Sequence, residues 1–194
     1  MTSQAIQELP DPTTVPTAGF VPRLAAFVLD FLLVSPLVYG MYYFQVEQPM
    51  LYGVIACWLV YHLYKPLTEA HFGCTAGKAA LRLRVVTMGG RRRITYNQSF
   101  IRYLPWAISA FITLFVYIRV MQSPSFAEVD DVWSYSNYIN EFPLQQNFFV
   151  SLGNNLPTFS AVWMIMDPWN RTLHDRWART FVVFHQPAEA GETE

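Results

Sequence analysis

Asp30 is a carboxylate set inside an apolar run, with Leu24 to Leu29 before it and Phe31 to Val34 after it. Arg23 lies seven residues earlier, so a helix puts the two on nearly the same face, about 10 Å apart along its axis. An ionisable group at that depth in hydrocarbon must face a protein partner or water, because facing acyl chains costs at least ~2.5–3.5 kcal/mol. The chemistry open to it is the binding and release of a proton or a monovalent cation. His62, at the matching depth of the next apolar block, is the expected partner, since an Asp–His pair exchanges protons near neutral pH. Arg23 is expected to set the pKa of Asp30. The plainer alternative is structural: Asp30 hydrogen-bonds Arg23, His62 or a hydroxyl and holds helices together. Asn154-Asn155-x-Pro157 is a second candidate, either a helix break whose freed carbonyls bind a cation or a pair of amides joining helices.

Other polar clusters point elsewhere. Asp175, with Arg102 and Arg176, is expected to form an ion-pair network at one face of the bundle, with Arg23 as a further possible partner. His174-Asp175-Arg176 would be hydrolytic only beside a nucleophile at a recognisable motif, and none is evident; no enzyme is read. Gly73-x3-Gly77-Lys78 lacks the spacing of a phosphate loop and the strand before it, and is expected to be a tight turn. Arg82, Arg84, Arg91, Arg92 and Arg93 suit anionic lipid headgroups, at about 1 kcal/mol per charge. Nucleic acid is a poor partner for so small a basic patch. With only Cys57 and Cys74, neither a disulfide framework nor a metal site is suggested, and no cofactor is expected.

The elements that must position these groups are membrane helices. Of 194 residues, 53% are hydrophobic, 16% aromatic and 14% charged, against about 25% charged in soluble domains. The apolar residues fall in long blocks rather than at period 2 or 3.6. Val21 to Phe44 is the first crossing and Met50 to Leu67 the second, joined by Glu47-Gln48-Pro49 as an antiparallel hairpin. Tyr103 to Met121 is the third, and Phe148 to Met166 the fourth and most polar. Between the second and third, Ala76 to Leu83 reads as a short cationic helix in the headgroup plane. Arg84 to Thr95, with Gly89-Gly90 at its turn, reads as a β-hairpin; Thr180 to Phe184 reads as a strand able to pair with it. The expected fold is therefore all-α and membrane-embedded, with four transmembrane helices and a small cytoplasmic element of hairpin and in-plane helix. Residues 1–19 are expected to be a disordered tail without a cleavable signal, 20–185 the membrane domain and 186–194 a polar tail. Lys and Arg gather before helix one, between helices two and three, and after helix four, whereas Glu128, Asp130, Asp131 and Glu141 lie on the other side. The positive-inside rule then puts both termini in the cytoplasm.

Arg23-x6-Asp30, Gly73-Cys74-Thr75-Ala76-Gly77-Lys78 leading to Arg84-Val85-Val86, Arg102 before helix three, and Leu173-His174-Asp175-Arg176-x3-Thr180 together resemble the RDD family. These are small bacterial membrane proteins named for one arginine and two aspartates. The resemblance runs over about residues 20 to 185 and puts the family's residues on Arg23, Asp30 and Asp175. It implies a multi-pass protein of the bacterial inner membrane. Because some members are linked to cation/proton antiport, it also implies monovalent cation/proton exchange at Asp30 as the leading function. Four helices make a thin transporter, so a homo-oligomer or a membrane-protein partner is expected alongside membrane lipids. The rival expectation is a non-catalytic accessory or assembly subunit of a membrane complex.

Overall fold

The computed structural model describes residues 17–88 and 92–184. The first apolar block forms α1, Phe20–Val46. Pro36 lies inside it and cannot donate to the carbonyl of Leu32, four residues back; the hydroxyl of Ser35 donates to that carbonyl instead, at 2.9 Å. The chain then reverses into α2, Leu51–Phe72, which stops where Gly73 takes a positive φ of 77°, a conformation glycine adopts without steric cost. Next come the short α3, Ala76–Ala80, and β1, Leu83–Thr87. The third long helix, α4, Tyr96–Met121, opens with Thr95 and Gln98 each bonding the other's backbone N–H.

Two helices, α1 and α4, are long and apolar enough to cross a membrane, with mean hydropathies of 2.0 and 1.7 over their most apolar windows. α2 has 22 residues, about 33 Å of helix, and is more polar because His62, Lys65 and Glu69 lie in its second half. α1 and α2 are in close contact at Gly40, where an added Cβ would stand 2.9 Å from Cys57 Sγ. α1, α2 and α4 meet through Met41, Trp58 and Ala110 respectively, and Trp58 Nε1 donates to the Ala110 carbonyl at 3.1 Å.

Beyond α4 the acidic segment makes one 3-10 turn, Pro124–Glu128, and then α5, Val132–Glu141, capped by Asp131. Tyr135, Tyr138 and Ile139 of α5 pack against Val116, Val120 and Phe126 at the far end of α4. The chain then returns along α4 as α6, Phe148–Asn154, α7, Leu156–Val162, and a 3-10 turn, Trp163–Met166. Val150 joins the far-end cluster, Gly153 lies against Ile112, and Ser160 reaches His174 at the other end. The last elements are α8, Leu173–Ala178, and β2, Thr180–Phe184.

Four expectations change here. The fourth apolar block is not one helix: α6 and α7 are separate, with Asn155 between them. The principal partner of β1 is β2 rather than the arginine run: the strands pair antiparallel from Leu83 opposite Phe184 to Thr87 opposite Thr180. Arg93 contributes a single bridge to Val86, and Gly89, Gly90 and Arg91, the turn of the expected hairpin, lie outside the described residues. The physical reason is burial, since Phe181, Val182 and Val183 are 2%, 1% and 7% exposed and a run of arginines cannot fill that layer. Third, α3 does not lie free in a headgroup plane. It docks on α1, and Lys78 turns inward at 9% exposure. Finally, the expected disordered tail ends earlier than residue 19: Thr17 bridges Val183 and Ala18 N donates to Val182 O at 2.8 Å. Residues 1–16 and 185–194, which hold the rest of the expected tails, lie outside the described residues.

Candidate functional site

The charged side chains of five helices converge where α1, α2, α3, α4 and α8 come together at the end of the bundle that carries the sheet. Asp175, 0% exposed, is held at the start of α8 by a capping box with Thr172. Its carboxylate accepts from Arg23 Nη1 at 2.5 Å and also from Arg102 Nη1. Arg102, 2% exposed, donates through Nε to Glu69 Oε2 at 3.0 Å and through Nη1 to Thr180 Oγ1 at 2.7 Å. Glu69 accepts from Lys78 Nζ with its other oxygen. Arg23 completes its donors on the carbonyls of Ala18, at 2.9 Å, and Asn170, at 2.8 Å. The chain of contacts therefore runs Lys78–Glu69–Arg102–Asp175–Arg23 and links α3, α2, α4, α8 and α1. Removing charges from water costs several kcal/mol per ion unless each is paired and hydrogen-bonded, and here every member is. Burial by itself would raise the pKa of Asp175, but the charges of Arg102 and Arg23 outweigh it and hold the carboxyl well below its usual range.

Asp30 forms a separate cluster. Its Oδ2 accepts from Thr75 Oγ1 at 2.5 Å, and its Oδ1 accepts from Gly77 N at 2.7 Å and Tyr64 OH at 2.9 Å. The Tyr64 hydroxyl in turn accepts from Ala76 N at 3.0 Å. Asp30 and Tyr64 thus satisfy the first N–H groups of α3, which no intrahelical carbonyl can reach. Gly77 makes the approach possible, for a Cβ there would lie 2.1 Å from the Ala26 carbonyl oxygen. α3 is therefore held twice, by Asp30 of α1 through its start and by Glu69 of α2 through Lys78.

Several expected pairings are corrected by this geometry. His62 does not meet Asp30; its Nδ1 lies 2.6 Å from Tyr103 OH on α4. Residues 62 and 64 are about 200° apart around a helix, so Tyr64 faces α1 where His62 faces α4. Arg23 serves Asp175 rather than Asp30. The ion-pair network expected of Asp175 and Arg102 is present, but Arg176 stays outside it: its side chain is 47% exposed and its Nε is 3.9 Å from Asp167. Asn154 lies against α4, accepting from Thr113 Oγ1 at 3.4 Å, while exposed Asn155 donates back to the Ser151 carbonyl at 2.8 Å. Asn154 thus joins its segment to α4, while Asn155 bonds within its own segment. Arg82 and Arg92 are exposed and Arg84 half-buried, Arg93 donates to the His71 carbonyl at 3.3 Å, and Arg91 lies outside the described residues.

Glu69 and Tyr64 were given no role from the sequence, and Thr75 and Lys78 entered as members of the glycine motif. A signal existed for Glu69: it is the one acid of Thr68 to Arg102, among Lys78, Arg82, Arg84, Arg91, Arg92, Arg93 and Arg102, and an isolated acid among cations is the natural hub of a pairing network. His174 also gains a serine neighbour, with Ser160 Oγ 2.7 Å from its Nδ1. Burial pushes His174 well below its ordinary value of 6.5 despite the pull of Asp175. This is not a hydrolytic triad: Ser160 is 1% exposed, its oxygen also accepts from His174 N at 3.2 Å, and two arginines occupy Asp175. Among the described residues no group of three or more His, Cys, Asp or Glu is placed to hold a metal ion.

A bundle of long apolar helices, closed at one end by a fully paired buried charge network and a two-stranded sheet, is the architecture of a helical membrane protein. The RDD family model matches residues 17–179, most of the chain, and the chain belongs to that family. No curated protein and no solved structure matches it.

Proposed function

We propose that the protein is a multi-pass accessory or assembly subunit of the bacterial inner membrane, with its sheet-bearing end in the cytoplasm. The return of Phe148 to Met166 along α4, from the α5 end to His174, supports a fourth pass. The gathering of Lys and Arg at the sheet-bearing end supports the orientation. The observation that carries the accessory reading is the core beyond Asp30. There α1, α2 and α4 meet through Met41, Trp58 and Ala110, followed by Val116, Val120 and Phe126, so the contacts that close the bundle past Asp30 are mainly apolar.

A second reading, monovalent cation/proton exchange, is favoured by one specific observation. Asp30 has no cationic side chain in salt-bridge contact among the described residues, and two of its three donors are hydroxyls, groups that can also ligate a small cation. That reading requires self-association to complete a path. Both are tested by reconstituting the purified chain in liposomes and imposing sodium or lithium gradients. The accessory reading expects no coupled proton movement. Proton movement that requires either cation and disappears in Asp30→Asn would replace it with exchange.

A further inference from the structure

Two arginines occupy a backbone conformation that glycine would fill without strain. Arg82 has φ 54° and Arg179 has φ 52°, both in the left-handed region that L-residues with a Cβ adopt at a steric cost. Their places correspond. Arg82 lies between the end of α3 and the start of β1, and Arg179 caps α8 immediately before β2. Both are exposed, and neither side chain makes an ion pair or hydrogen bond among the described residues, so no internal contact explains the choice of arginine.

What surrounds them gives the reason. In the β1–β2 register, Leu83 opposite Phe184 puts Arg82 at one end of the ribbon. At the other end Met88 N donates to the Arg179 carbonyl at 3.1 Å and Thr87 N to the Arg92 carbonyl at 3.0 Å. Arg92 is likewise exposed. Rings open to the surroundings stand on three of the elements: Phe72 at the end of α2 at 57%, Trp177 of α8 at 51% and Phe184 of β2, opposite Leu83, at 42% exposure. Unpaired cations next to exposed aromatic rings, at the rim of membrane helices, match the headgroup layer, where rings sit at the glycerol level and guanidiniums bond phosphate oxygens.

We propose that the ends of the β1–β2 ribbon form a binding surface for anionic phospholipid headgroups, with Arg82 and Arg179 as its principal phosphate contacts. This rests on the membrane-embedded reading but not on which way the chain is oriented. The test uses the full chain in nanodiscs of mixed phosphatidylglycerol and phosphatidylcholine, with retained lipids counted by native mass spectrometry. The wild type should retain phosphatidylglycerol in preference. Arg82→Gly with Arg179→Gly should weaken that preference by about fivefold per arginine, equivalent to about 1 kcal/mol each. The same double variant should melt no lower than wild type, because glycine accepts the positive φ freely. Arg82→Lys with Arg179→Lys should keep most of the preference, and Arg119→Gln at the opposite end should leave it unchanged. The proposal is overturned by an absent wild-type preference, by a glycine variant that retains it, by a glycine variant that unfolds, or by an equal loss in Arg119→Gln. Release of the chain by alkaline carbonate extraction would instead sink the membrane reading, before any lipid is compared.

Discussion

Asp175 is the residue on which the buried charges converge, and its environment fixes what its loss would do. In Asp175→Asn the Arg23 guanidinium stays buried without its carboxylate, while Arg102 keeps only the Glu69 carboxylate; breaking a buried pair in this way costs about 3–5 kcal/mol. Thermal unfolding in mild detergent should show a correspondingly large fall in midpoint, and a change within error would mean that the network contributes little. His174 makes a pH prediction. Its folded pKa lies well below 6.5, so it folds neutral while the unfolded chain takes a proton below 6.5. Its share of the stability is complete above that pH and is lost as pH falls, by up to about 1.4 kcal/mol per unit. His174→Asn, which can keep a hydrogen bond to Ser160, should flatten the fall in melting temperature between pH 6.5 and 5.5. An unchanged slope would assign the titration to another group. At this scale the sequence was partly legible. Asp175 could be matched to arginines because a buried acid needs a cation, and the chain places Arg23 and Arg102 at the same end. The partners of Asp30 were not legible, because choosing Tyr64 over His62 depends on helix rotation, which depth alone does not supply.

The elements follow from apolar length where they are long and from tertiary contacts where they are short. The hydrophobic blocks give α1 to within two residues at each end and the end of α4, but α4 starts at Tyr96, seven residues before the expected crossing. α3 has five residues, far too few for an isolated helix to persist in water, so it exists only because Asp30, Tyr64 and Glu69 secure it. Its charge pattern suggested a surface helix because Lys78 was counted without its partner. The same physics explains the strands, whose pairing was decided by the buried Phe181, Val182 and Val183 rather than by the nearer Gly-Gly turn. Gly77→Ala tests the docking of α3 directly. The new methyl would stand 2.1 Å from a backbone oxygen, which cannot rotate away, so α3 must shift off α1 at a cost of about 1–3 kcal/mol. In a Cys57→Ser background, maleimide labelling of Cys74, next to α3, should speed up severalfold. Labelling at the wild-type rate would show that α1 and α3 accommodate the methyl without separating.

For the whole molecule the open quantity is the number of passes. Composition predicted four, but among the described residues only α1 and α4 are long and apolar enough to cross by that measure. α6 and α7 have seven residues each, about 10 Å of helix apiece. Two ties nevertheless fix the path between them: Val150 belongs to the cluster at the α5 end, and Ser160 bonds His174 beside the charge network. A chain that starts at one end of α4 and finishes at the other has traversed the bundle, broken or not. Asn154 is tolerable there because it faces α4, where Ser109 and Thr113 donate to it, and exposed Asn155 donates back to the Ser151 carbonyl. Single-cysteine labelling can count the passes. In a Cys57→Ser, Cys74→Ser background, cysteines placed at exposed Ser125 and exposed Arg176 should behave oppositely toward an impermeant maleimide. In intact spheroplasts Ser125→Cys should label, whereas Arg176→Cys should label only after the membrane is opened. Labelling of both in intact spheroplasts would put the two ends of the return segment on one side, and the fourth pass would be lost with the proposed orientation.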